Sequence, residues 1–83
     1  VNFYGTYLRR IRVVSGVSLR ELAALLGVDD RYLGEVERGV VTVLPRRYWR
    51  ALLAALPNFD ETVLQEWWRD SRSQLFAMRR KRA

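Results

Sequence analysis

The side chains with the most capacity for chemistry in this chain are concentrated in DDRYLGEVERG, residues 29 to 39. Asp29 and Asp30 are adjacent, Arg31 follows them, and Glu35 comes about one helical turn later. Carboxylates accept hydrogen bonds and a guanidinium donates them in a planar fork, so this set suits recognition of another polar surface better than bond making. Catalysis finds little elsewhere. The sequence has no Cys and no His, which removes thiolate nucleophiles, the commonest general base and the usual zinc and haem ligands. There is no Gly-rich phosphate loop, and two neighbouring carboxylates at a helix start diverge into solvent instead of closing on a substrate. The expectation is a non-enzyme that needs neither metal nor cofactor.

Such residues act only if a frame holds them, and the frame reads as helices throughout. Residues 3 to 14 place Tyr4, Tyr7, Leu8, Ile11 and Val14 at three- and four-residue spacing, one face of a first helix. Gly16 can take the left-handed conformation of a helix end, and Ser18 can cap a second helix over residues 19 to 26, with Leu22, Leu25 and Leu26 expected inward. Gly27 stops that helix. Asp29 then serves as N-cap of a third over residues 30 to 38, which Gly39 ends. Two short helices meeting across such a turn need a small residue where they cross and a Gly where the backbone reverses, and Ala23 and Gly27 meet both needs. The first of the pair can lie across a phosphate backbone while the second presents its N-terminal half outward.

A fourth helix follows over residues 45 to 56, with Pro45 in its first turn and Trp49, Leu52, Leu53 and Leu56 on its apolar side. Arg46, Arg47 and Arg50 fall elsewhere on it, as a solvated face. Asp60 can cap a fifth helix from residue 61 to about 80, with Val63, Leu64, Trp67, Trp68, Leu75, Phe76 and Met78 as its apolar positions.

With 83 residues the chain has room for one domain, burying ~60–65% of the surface its unfolded form exposes. The reading is a single domain over residues 1–78, with its central helix pair at about 18–39, and a basic tail at 79–83. The formal charge is +6, but four of the fifteen basic residues lie in the final RRKRA, so the rest is nearly balanced. Such a tail is compatible with a solvated segment, with phosphate contacts or with attraction to an anionic membrane surface. No apolar run reaches the ~18–20 residues of a bilayer span, and the N-terminus lacks a signal-peptide hydrophobic region. With no disulfide available, a cytoplasmic location is expected.

IRVVSGVSLRELAALLGVDDRYLGEVERG resembles the helix-turn-helix of the Cro and lambda-repressor family of bacterial and phage regulators, of the XRE type. The similarity covers roughly residues 7 to 56, and its most specific parts are S-x-x-E-L-A-x-x-x-G-V and Y-L-x-x-V-E-R-G. The resemblance implies an all-α, five-helix fold, here with an extended C-terminal helix, and sequence-specific double-stranded DNA binding as a homodimer. It also implies a buried ion pair between Arg12 and Glu37. Carried over residue by residue, it makes Asp30, Arg31, Gly34 and Glu35 the base-contacting positions and Ser18, Arg20, Tyr32 and Arg38 the phosphate-contacting ones. Two departures stand out. Leu19 occupies a position where the family often has a phosphate-contacting Gln, and VVTVL, residues 40 to 44, is apolar where relatives carry a polar, basic loop. That loop is expected to be packed or covered by a partner.

The same loop supports a rival. ERGVVTVLPRRYWR also resembles the cytoplasmic helix-turn-helix domain of the bacterial cell-shape protein RodZ, which implies a cytoskeletal or other protein partner in place of DNA. Asp30 and Glu35 would suit that use. Two adjacent Trp residues diverge by about 100° on a helix, so the fifth helix is expected to offer one of them to a partner. Leu64, Trp67, Trp68 and Leu75 are accordingly the expected homodimer interface, holding two recognition helices about one DNA turn, ~34 Å, apart on a palindromic site.

Overall fold

Two capped turns organise the centre of the molecule. In the computed structural model, which describes residues 3–40 and 43–82 and the side chains of these up to residue 72, Ser18 is extended and its Oγ accepts the backbone N–H of Glu21 at 3.0 Å. This starts α2 (Leu19–Leu26), which follows α1 (Phe3–Val14). Gly27 ends α2 at φ 74°, a left-handed conformation that costs a residue without Cβ little, and Val28 N–H closes the turn on the Ala23 carbonyl at 3.0 Å. Asp29 then caps α3 (Asp30–Arg38), and Gly39 closes it in the same way at φ 83°. A single 3-10 turn, Arg46–Tyr48, leads into α4 (Trp49–Ala55), and α5 runs over Glu61–Arg82. The fold is all-α with five helices, and no strand occurs among the described residues.

The core draws on every helix: Leu8 from α1, Leu22 and Leu26 from α2, Leu33 and Val36 from α3, Leu52 from α4, and Leu64 and Trp67 from α5. Ala23, expected where α2 and α3 cross, is 2% exposed. Each buried Leu of this kind contributes about 1.5–3 kcal/mol of apolar transfer free energy.

Several expectations are corrected by this packing. Leu25 is 62% exposed: Leu22, Leu26 and Ala23 define a buried arc from whose centre Leu25 lies about 110° away. Val14 is 74% exposed because α1 ends as the chain turns toward α2, leaving no element to cover it. The first turn of the fourth helix is 3-10, with Tyr48 N–H bonding the Pro45 carbonyl at 3.0 Å, so α4 itself starts only at Trp49. In the apolar loop, Leu44 is fully buried, Val43 half-buried and Val40 exposed, while residues 41 and 42 lie outside the described residues. Trp49 Nε1 donates to the Leu44 carbonyl at 2.8 Å and pins the loop to α4. Its packing is therefore supplied by the chain itself at Leu44.

The divergence of the two Trp residues is resolved internally as well. Trp67 enters the core, where the Tyr4 ring stacks on it with centroids 5.6 Å apart, and the Tyr4 hydroxyl donates to Asp70. Trp68 turns the other way and meets Trp49 edge to face at 6.3 Å. Leu64 at 0% and Trp67 at 2% exposure have no surface left for a second subunit, which corrects their assignment to a dimer interface. The Leu75 side chain lies outside the described residues, as do those of Phe76 and Met78.

Candidate functional site

The outward surface of α2 and α3 is set by one buried ion pair. Arg12 Nε donates to Glu37 Oε2 at 2.7 Å and Arg12 Nη2 to Glu37 Oε1 at 3.1 Å, a two-pronged contact between α1 and α3. The remaining arm, Nη1, donates to the Val17 carbonyl at 3.0 Å in the turn before α2. Three segments are thereby held in one orientation by one guanidinium, with side chains only 11% and 5% exposed. This pair is structural, since neither member reaches outward.

At the start of α3 the carboxylates are already engaged. Asp29 Oδ1 accepts the Arg31 backbone N–H at 2.9 Å, and this bond, with help from Asp30 and the Arg31 charge, holds its carboxyl below the usual range. Its negative charge is spent on the exposed N–H groups and positive dipole end of the helix. Asp30 faces Arg20 of α2 at 3.7 Å, and Arg31 faces Glu35 at 3.9 Å. These are loose, exposed pairs, each worth about 0–1 kcal/mol, so either Arg can leave its carboxylate for a stronger acceptor. The Arg31 side chain is 87% exposed and that of Arg20 90%. Asp30 and Glu35 thus each stand beside a guanidinium that screens them.

The other positions divide. The Ser18 oxygen accepts a backbone N–H, which leaves its O–H as a donor. Tyr32 is half-buried, and burial is the main reason its hydroxyl holds its proton to higher pH, with Tyr48 contributing. Gly34 is buried at the floor of a recess: a Cβ built there would lie 3.4 Å from Leu19 Cδ2 and 3.5 Å from Arg38 Nη1. It is buried because Leu19, the residue that departs from the family pattern, packs onto it. On its other flank stands the exposed guanidinium of Arg38, so the approach to residue 34 runs past Leu19 and Arg38.

Two basic residues absent from the sequence-based site join it in space. Arg9 lines a recess of about 250 Å³ together with Arg12, Leu19, Gly34, Glu37 and Arg38. Arg47, assigned above to a solvated face, lies over the Tyr48 ring at 4.8 Å and donates to the Tyr48 hydroxyl at 3.1 Å, next to Tyr32 of α3. The Arg47-Tyr48 pair, two residues after Pro45, was the available signal for the second, because it places both at the entry to α4. Arg9 had no local signal, since it is brought there by the angle between α1 and α3.

Among the described residues no group of three or more carboxylates converges on a possible metal position, and no helix is long and apolar enough to cross a membrane. A family model described as a helix-turn-helix domain matches residues 4–67. No curated protein and no solved structure matches the chain.

Proposed function

Because the chain belongs to the helix-turn-helix domain family over most of its length, we propose that it is a DNA-binding transcriptional regulator in which α3 enters the major groove and α2 crosses the backbone. The observation that carries this reading is Arg31. It stands in the first turn of α3, almost fully exposed, on a helix locked by the Arg12 and Glu37 pair, and its only ion-pair partner among the described residues is a weak one. Its fork suits guanine O6 and N7, a contact worth about 1–3 kcal/mol of discrimination. Asp30 and Glu35 can accept from cytosine N4 once their guanidinium partners turn to phosphate. Ser18, Arg20, Tyr32 and Arg38, joined by Arg9 and Arg47, supply backbone contacts, which position the protein without reading sequence. Binding of a palindromic site by a homodimer belongs to the same proposal, with subunit contacts built from residues other than Leu64 and Trp67. The cytoplasm is the corresponding location.

Selection from random duplex DNA at moderate salt, with Arg31→Ala in parallel, tests it. Enrichment of one motif, with preference relaxed at a G·C pair in the variant, is expected. Weak binding that is steeply salt-dependent and indifferent to sequence overturns the reading. The carboxylates of Asp30 and Glu35 favour a second reading, docking of a basic protein partner onto α3, and that result would favour it.

A further inference from the structure

The outer face of α5 carries a pattern the DNA reading leaves unused. Thr62, Gln65, Glu66, Arg69 and Arg72 recur at three- and four-residue spacing and share one stripe of the helix, on the side away from buried Leu64 and Trp67. Together with Trp68 and Arg46 they line a groove of about 530 Å³, within the range of small-molecule sites. Arg46 reaches the groove from the 3-10 turn after Pro45, its guanidinium carbon within cation-π distance of Trp68 on α5.

Arg46 is held in an unusual way. Its guanidinium carbon lies 5.5 Å from the Trp49 ring centroid and 5.3 Å from that of Trp68, two rings set at 85° to each other. Cation-π contact with both rings restrains the side chain, and the N–H groups not turned toward a ring can still donate. Part of the entropy of ordering a long side chain is therefore lost before any ligand arrives. Among the described residues the ion pairs use Arg12, Arg20 and Arg31, so Arg46, Arg69 and Arg72 have no carboxylate partner. Three guanidinium groups around one groove exceed what a single carboxylate neutralises. They match a phosphate, whose oxygens can each take a charge-assisted hydrogen bond.

The charge order along the stripe limits the ligand further. Glu66 stands one turn before Arg69, so the α5 wall of the groove is basic toward Arg72 and acidic toward Glu66, with Thr62 and Gln65 on the acidic side. A nucleic-acid backbone laid along α5 would meet repulsion at Glu66. A small molecule with a phosphate at one end and hydroxyl or amino donors at the other satisfies both ends. We propose that this groove binds a small phosphorylated ligand of the nucleoside phosphate class, its phosphate on Arg46, Arg69 and Arg72 and its donor groups toward Glu66. The site is independent of the DNA reading and would give this short chain a chemical input of its own.

Titration of the full chain with pyrophosphate, ADP and GDP, and with a short duplex oligonucleotide as competitor class, tests the proposal by tryptophan fluorescence and calorimetry. Saturable one-to-one binding of a nucleotide is expected, weakened at least about tenfold in Arg69→Gln/Arg72→Gln, whose exposed side chains leave thermal stability unchanged. Glu66→Gln separates the two ends: it should tighten pyrophosphate and weaken the nucleotide. The proposal is overturned if no small phosphate saturates where a complex of ~1 mM dissociation constant would. It is equally overturned if binding survives the Arg69→Gln/Arg72→Gln change, or if only the oligonucleotide binds.

Discussion

Removing Glu37 isolates what the buried ion pair contributes. In Glu37→Ala the Arg12 guanidinium keeps its bond to the Val17 carbonyl but loses two charge-assisted contacts, at 2.7 and 3.1 Å, in a site where its own side chain is 11% exposed. An uncompensated buried charge of this kind costs about 3–5 kcal/mol. The lower end applies here, because the recess beside the pair, about 250 Å³ and lined by Arg9 and Arg38, gives water a route to the guanidinium. The total stability of an 83-residue domain is roughly 4–12 kcal/mol, so the single change removes a large share of it. Arg12→Met/Glu37→Leu removes both charges and refills the space. It should recover to within about 1 kcal/mol of the parent, that residue being the lost bond to Val17. Urea unfolding followed by far-UV circular dichroism, with equal slopes for the three proteins, reads these differences directly. A cost below about 1 kcal/mol for Glu37→Ala, or a double variant no more stable than the single one, would refute the assignment of this pair as a buried, coupled lock.

Trp67→Ala should cost about 3–5 kcal/mol of unfolding free energy, while sedimentation gives an unchanged mass for the folded fraction, since the side chain is buried in the core of the chain itself. Leu25→Gln should alter stability by less than about 0.5 kcal/mol in the same urea assay; a cost near that of a core Leu would show that α2 is rotated. The Tyr4 hydroxyl is pushed up to about 12 from 10.0, first by its hydrogen bond to Asp70, then by burial and the carboxylate charge. The folded state therefore holds this proton more tightly than the unfolded chain. That contribution is complete below pH 10 and is lost as pH rises through 12. Melting temperatures across this window should fall more steeply for the parent than for Tyr4→Phe, and identical slopes would remove Tyr4 as the cause.

Local chemistry determined the helices by itself. Ser18 and Asp29 cap, and Gly27 and Gly39 reverse the chain, through contacts within a few residues, so their effect is legible from spacing alone. The five-helix order, the turn between α2 and α3 and the exposed start of α3 follow from that. The pairing of Arg12 with Glu37, by contrast, crosses 25 positions and came to the sequence only through resemblance to a family. Which side of a helix is covered was likewise a tertiary matter. A three- and four-residue spacing admits Leu25 as readily as Leu26, and only the position of neighbouring helices chose between them. Gly34 shows the same limit at the candidate site, where Leu19, from another helix, packs beside a position of α3. The two Trp residues had to diverge because they are adjacent, and the sequence carried that much. That Trp67 found Tyr4 and that Trp68, with Trp49, found Arg46 depended on where α1 and α4 ended up, because contacts between distant segments are decided by how whole helices pack.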